Sequence, residues 1–384
     1  MEVVMVELFQ NLNKKEKFIY RLRKLMEDYG YTNTSVNLLE DYESYAGGHM
    51  IKDENILKLI HPNGKLYALR PDMTIPIAKR YAAEGKKEEL SHKVYYNDSV
   101  FRIEQKSYNS LSEMQQIGVE ALGINDKIID LEILTLAKEV LCEINEVYHI
   151  DLSHSGVLEK LFALGKFSKE DKENILDLIS KRSKTDLTLF LNKLDVDNKI
   201  LQSFLSLLSL NGSFEAVLKE FMSDEILQTF TDVINDLEEL KDFLEIYKIS
   251  VDLDFSLSSN LKYYTGIIFK GYVPNISEAV LTGGRYDKLA KNFGKDIPAV
   301  GFGVNLTEIL KGFEEGNRPR GAVVFYEDSD KNLIETIKTL RDKIGLVRLE
   351  KNIDISENLY KKLKFEYEQV YLYENGRLEE KKWR

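Results

Sequence analysis

The chain has 384 residues, with 53 Lys and Arg against 64 Asp and Glu; its net charge of −11 is the reverse of a dedicated nucleic-acid binder's footprint. With 43% hydrophobic residues and six prolines it has the composition of a globular protein, long enough for two or three folded units. No run reaches the roughly 18 uncharged apolar residues of a membrane span, and the N-terminal charges stand in the wrong order for a secretory leader. A cytoplasmic location is therefore expected.

The first expected helix covers 14–29, with Phe18, Leu22, Leu25, Met26 and Tyr29 on one stripe. Asn13 with Glu16 three residues later fits a capping box, and Gly30 supplies the stop. A short strand then reaches Arg70 and Pro71, with a helix beginning just beyond. Two strands are expected at 93–102 and 113–122, joined by the polar loop IEQKSYNSLS, longer than a tight hairpin needs. A helix over 125–145 contains the lone cysteine, Cys142, in the apolar run LTLAKEVLCEI, where a buried structural thiol is expected. His49, His61, His92, His149 and His154 show no i,i+3 or i,i+4 pairing, so neither a structural metal nor a cofactor is expected.

Residues 155–247 are rich in leucine and lysine and helical in period, which predicts an inserted helical module. At 249–258 apolar and polar residues alternate, predicting a strand with one core face and one polar face. A strand at 263–272 follows. Gly283 and Gly284 are expected to turn the backbone before a helix at Arg285, and PAVGFGVNLTEIL reads as a strand running into a helix. Beyond 318, alternating strand and helix patterns predict a small α/β unit.

In the 113–122 strand, period-two geometry sends Gln116, Gly118 and Glu120 to one face. An amide and a carboxylate flanking a glycine leave room for a small ligand on the sheet, although a solvated face has the same pattern. Arg102 closes the preceding strand and can clamp a phosphate or carboxylate through its planar fork, as many surface arginines can. Tyr263 and Tyr264 offer aromatic walls with hydroxyls, for a ligand or for ordinary packing.

In order along the chain, LRPDMT, VFRIE with EMQQIGVEALG, LKYYTGIIF, TGGRYDKL and PAVGFGVNL resemble the catalytic core of the histidyl-tRNA synthetase family over about 8–315. The resemblance implies an α+β fold: a class II aminoacyl-tRNA synthetase-like antiparallel sheet flanked by helices, with a helical insertion and a small C-terminal α/β unit. The expected division is 1–154 and 248–318 as the core, 155–247 as the insertion and 319–384 as the C-terminal domain. The resemblance places Asp72 and Thr74 at the histidine ammonium, Arg102 at the ATP phosphate, and Gln116, Glu120, Tyr263 and Tyr264 around the histidine. It also implies a homodimer through material near the N-terminus.

Two departures bear on chemistry. The family's arginine before the tyrosine pair aligns with Ser259, and the arginine that clamps the ATP phosphates aligns with Glu308. Two like charges about 4 Å apart at an effective dielectric near 20 repel by roughly 4 kcal/mol. A core with the histidine pocket but without these cations resembles the regulatory subunits of short-form ATP phosphoribosyltransferase, which also carry RPDMT and YYTG. That resemblance implies a chain without catalysis of its own, no tRNA ligand, no membrane association, histidine as ligand, and a separate catalytic subunit as partner.

Overall fold

The computed structural model describes residues 12–45, 51, 53–83, 91–104, 110–257, 264–313, 321–326, 331–351, 359, 361, 363 and 367–381. Two compact units are present, Lys17–Gly312 and Met1–Glu16 together with Phe313–Arg384.

Helix α1 (Lys14–Asp28) begins with the expected capping box. Asn13 accepts the Glu16 N–H and Glu16 accepts the Asn13 N–H, both at 2.8 Å. Its buried side chains, Phe18, Leu22 and Met26, recur every fourth residue, and Gly30 ends it with φ +82°. Strand β1 (Thr32–Asn33) is followed by β2 (Leu39–Asp41), β3 (Lys58–Ile60) and β4 (Leu66–Leu69), which form a small sheet in the order β2-β4-β3. Then come α2 (Thr74–Ala83), β5 (His92–Glu104), β6 (Ser110–Leu122), α3 (Lys127–Ile144) and β7 (His149–His154).

The next stretch is helical, as its period predicts: α4 (Ser155–Leu164), α5 (Lys169–Ser180), α6 (Lys184–Lys193), α7 (Asn198–Leu207), α8 (Phe214–Phe221) and α9 (Thr231–Ile246), interrupted by the short β8 (Asn211–Ser213). These helices belong to the same compact unit as the strands around them. The unit closes with β9 (Asp252–Asp254), β10 (Ile267–Tyr272), β11 (Leu281–Arg285), β12 (Ala299–Asn305) and α10 (Leu306–Lys311).

Nine of these strands form one sheet, β1-β5-β6-β12-β11-β10-β7-β9-β8. Its pairs are antiparallel except β1 with β5 and β7 with β9. Ile117, Val119 and Ala121 of β6 pair with Val304, Phe302 and Val300 of β12, and all six are buried on one face. Helix α3 covers that face: a Cβ on Gly271 would lie 2.7 Å from the Leu141 side chain. Each fully buried leucine of α3 contributes roughly 1.5–3 kcal/mol, which fixes the sheet against the helix and leaves its other face for chemistry.

In the C-terminal unit β13 (Gly321–Tyr326), α11 (Lys331–Ile344), β14 (Leu346–Lys351), β15 (Gln369–Glu374) and β16 (Arg377–Glu380) form a sheet in the order β14-β13-β15-β16. The central β13 runs parallel to both neighbours and is covered on both faces, Val324 packing with Leu333 and Ile337, and Val323 and Phe325 with Leu363 and Tyr367. Asn375 and Gly376, at φ 50° and 79°, make the two-residue turn that adds β16, a strand the sequence reading missed.

Several expectations need correction. Cys142 is exposed, because the buried stripe of α3 passes through Ala137, Val140 and Leu141 and leaves position 142 on the outer face. Among the described residues the 249–258 alternation yields a strand only at Asp252–Asp254, and the polar set is divided: Ser250 is exposed and Asp252 half-buried, whereas Asp254 and Ser256 are buried with the apolar set. Asp254 accepts both the N–H and the hydroxyl of Ser256, which turns the chain there. Gly283 and Gly284 lie inside β11 rather than in a turn before a helix; the strand needs them for close packing, since a Cβ on Gly283 would lie 2.4 Å from the Phe269 ring. The strands flanking the loop before Glu113 run further than expected, β5 and β6 pairing out to Glu104 and Ser110, and 105–109 lie outside the described residues.

Candidate functional site

The open face of the sheet is shaped by missing side chains. Register places Gly118 of β6 between Tyr96 of β5 and Gly303 of β12, and Glu120 beside Gly301, which pairs with Gly284 of β11. All these positions share one face. A Cβ on Gly118 or Gly303 would lie 2.5 or 3.0 Å from the Tyr96 hydroxyl, one on Gly301 2.0 Å from the Glu120 carboxylate, and one on Gly284 2.8 Å from the Tyr264 ring. Tyr96, Glu120 and Tyr264 therefore lie flat over a strip of glycines. The space that Gly118 was expected to leave for a ligand is occupied by the Tyr96 side chain.

The segment before α2 closes the site from the side. Arg70, 5% exposed, donates to the carbonyls of Ser99 and Val36, each at 2.7 Å, and to Asp98 at 2.9 Å. It staples the segment to β5. Asp72 is buried, accepts the Ile75 N–H at 2.8 Å and so caps α2. Thr74 donates its hydroxyl to Glu120 at 2.6 Å, and the Tyr286 hydroxyl donates to the other oxygen of the same carboxyl. Arg102 is half-buried and donates to the Pro71 carbonyl at 2.7 Å, beside Asp72.

Burial dominates the electrostatics. Glu120 is 1% exposed, and desolvation pushes its carboxyl up to about 8. The Thr74 and Tyr286 hydroxyls pull it down, and the nearby Asp72 pushes it further up. Burial likewise raises Asp72, against the Ile75 N–H and the Arg102 guanidinium. A carboxyl that holds its proton near neutrality both donates and accepts, which matches a neutral imidazole with one donor and one acceptor nitrogen. When ionised, the same carboxyl suits an ammonium or imidazolium.

Asp72, Thr74, Glu120, Arg102 and Tyr264 are thus brought together. Gln116 is half-buried and stands on the same face, four residues from Glu120. Tyr263 and Ser259 lie outside the described residues, and β10 begins at Ile267 rather than at position 263. Glu308 stands on α10 with its carboxylate 2.6 Å from Lys311 of the same helix. Tyr264 also lines a cavity of about 460 Å³ with Ser153, Phe255, Leu257 and Ile268, a volume suited to a small ligand. Arg285 is structural: it grips Asp130 of α3 through Nε at 3.0 Å and Nη2 at 2.7 Å.

Sequence reasoning missed Tyr96, Tyr286 and Arg70. Tyr286 and Arg70 lie inside the segments TGGRYDKL and LRPDMT that carried the resemblance. Tyr96 had no local signal, because only the pairing of β5 with β6 shows which of Tyr95 and Tyr96 faces Gly118.

The chain resembles known proteins in sequence and in fold. The ATP phosphoribosyltransferase regulatory subunit of Ruminiclostridium cellulolyticum is 29% identical over 360 residues, 90% of this chain and 86% of its own. The histidine–tRNA ligase of Methanocaldococcus jannaschii is 29% identical over 338 residues, 86% and 80% of the two chains. A crystal structure of an ATP phosphoribosyltransferase regulatory subunit/histidyl-tRNA synthetase from Bacillus halodurans shares the fold, with a TM-score of 0.78 over 94% of this chain and 95% of that one at 22% identity. The family model for histidyl-tRNA synthetase matches residues 8–309, and the chain belongs to that family.

Proposed function

We propose that this chain is a non-catalytic regulatory subunit of ATP phosphoribosyltransferase, the enzyme of the first step of histidine biosynthesis. It binds histidine in the cleft over the glycine strip and supports or feedback-regulates a separate catalytic subunit. The observation that carries this reading is a split between two halves of one site. The carboxyls of Asp72 and Glu120, the Thr74 and Tyr286 hydroxyls and the Tyr264 ring converge as an amino-acid pocket would require. At the aligned position of the phosphate-clamping arginine, a carboxylate stands instead, Glu308. Relatives named as regulatory subunits support the same assignment.

In this reading Asp72 and Glu120 take the ligand's ammonium and imidazole, Arg102 and Gln116 its carboxylate, and Tyr263 and Tyr264 its side-chain walls. The working division remains a synthetase-like core of 1–154 with 248–318, a helical insertion of 155–247 and a C-terminal domain of 319–384. Homodimerisation is supported by the small sheet and its approach, where Leu38, Leu39, Leu59, Leu66 and, at 77%, Ile60 are exposed. The acid excess argues against tRNA as ligand, and no helix among the described residues is long and apolar enough to cross a membrane.

A second reading, a divergent amino-acid-activating enzyme, draws on Arg102 and on the archaeal ligase relative. Pyrophosphate exchange with histidine and ATP separates the two. The regulatory reading expects no exchange above background, and rapid histidine-dependent exchange would refute it.

A further inference from the structure

We propose that Tyr96 is a ligand-binding residue of the cleft, its hydroxyl donating a hydrogen bond to the carboxylate of the bound amino acid and so selecting for ligands that carry that group. The proposal deepens the histidine reading of the cleft and rests on it. Tyr96 is 2% exposed, and its ring is seated on Gly118 and Gly303, where no other residue type leaves room for it. Along β5 and β6 it stands between Glu120, which pairs with Val94, and Arg102, which pairs with Ser112.

Glu120, Asp72, Tyr264 and Arg102, contributed by four different segments, all act electrostatically on its phenol. Tyr96 thus lies within electrostatic reach of four of the candidate site's residues. Among the described residues its hydroxyl makes no hydrogen bond, and burial is the largest influence on its proton affinity, ahead of the charges around it. A buried tyrosine hydroxyl ordinarily finds a partner. Here the carboxyl of Glu120 is already engaged by Thr74 and Tyr286, and that of Asp72 by the Ile75 N–H.

The chemistry of the missing partner follows from its surroundings. Burial keeps the phenol protonated, so it donates. The acceptor must also tolerate the Arg102 guanidinium, which favours a negative group. The two buried carboxyls claim the cationic end of a zwitterion, leaving its carboxylate for Tyr96 and Arg102.

Calorimetry of the full chain and of Tyr96→Phe with L-histidine and with histamine, which lacks the carboxylate, tests the assignment. The variant is expected to bind histidine about 10- to 100-fold more weakly, the range for a hydrogen bond to a charged group. Histamine affinity should stay within about twofold. Unchanged histidine affinity, or equal losses for both ligands, would overturn the proposal. The variant's thermal midpoint should not fall, since the deleted hydroxyl has no hydrogen-bond partner among the described residues; a clear drop would also overturn it. Failure of the unmodified chain to bind histidine would defeat the cleft's assignment itself, and is distinguishable because it appears before any substitution.

Discussion

Replacing Glu120 with Gln should make the ligand-free protein more stable at alkaline pH and leave it nearly unchanged in acid. The Glu120 carboxyl is 1% exposed and titrates at about 8, against an ordinary 4.5 for glutamate. The folded value is raised, so between these two values the native state holds a proton that the unfolded state has released. Stability therefore falls as pH rises from about 4.5 to about 8 and levels off above that. At roughly 1.4 kcal/mol per pH unit the ceiling of this effect is about 5 kcal/mol, of which relaxation around the carboxylate recovers a part. Glutamine keeps the shape and can still accept from Thr74 or Tyr286 but does not ionise, so the variant loses this slope. The assay is thermal unfolding of both proteins from pH 5 to pH 8.5. The midpoint difference should be small at pH 5 and grow steadily in favour of Glu120→Gln up to about pH 8. A difference that stays constant across the range would refute the account of a buried, proton-holding carboxyl.

Arg285→Ala should cost about 3–5 kcal/mol, since it leaves Asp130 buried without the guanidinium that offsets its desolvation; chemical denaturation checks this. Gly118→Ala should be far more damaging than Gly303→Ala, although the two glycines are neighbours. A Cβ at 118 meets the Phe302 carbonyl at 2.3 Å, which is backbone and cannot step aside, whereas one at 303 meets the Tyr96 hydroxyl at 3.0 Å. Soluble yield and thermal midpoints of the two variants would show the contrast.

The sequence was most informative where the cause was local. Asn13 with Glu16 announced α1 because a capping box needs four consecutive residues, and the period of two in 113–122 put Glu120 and Gln116 on one face without knowledge of the neighbouring strands. The errors came from contacts made at long range. Gly283 and Gly284 look like a turn until Phe269 and Tyr264 are known to press on them from other segments. The alternation after Ile249 suggests a solvated face, but the chain turns at Asp254, and Asp254 and Ser256 of the polar set are buried with the apolar one. Cys142 follows an apolar residue and precedes an acidic one, so its burial depended on the phase of α3 against the sheet, which composition does not reveal. Tyr96 and Tyr286 reach the site through strand register and through a bond to Glu120, 166 positions away for Tyr286. The family resemblance supplied what local pattern lacked, because it carries the long-range arrangement with it.

The central claim is that this chain recognises histidine without activating it and acts through a partner. Its most direct test is to mix the full chain with a short-form ATP phosphoribosyltransferase catalytic subunit and follow phosphoribosyl transfer with and without histidine. The account predicts that the mixture is more active than the catalytic subunit alone and that histidine suppresses the gain, with Glu120→Ala blunting the suppression. Activity indifferent to this chain, or a gain that histidine leaves untouched, would contradict it.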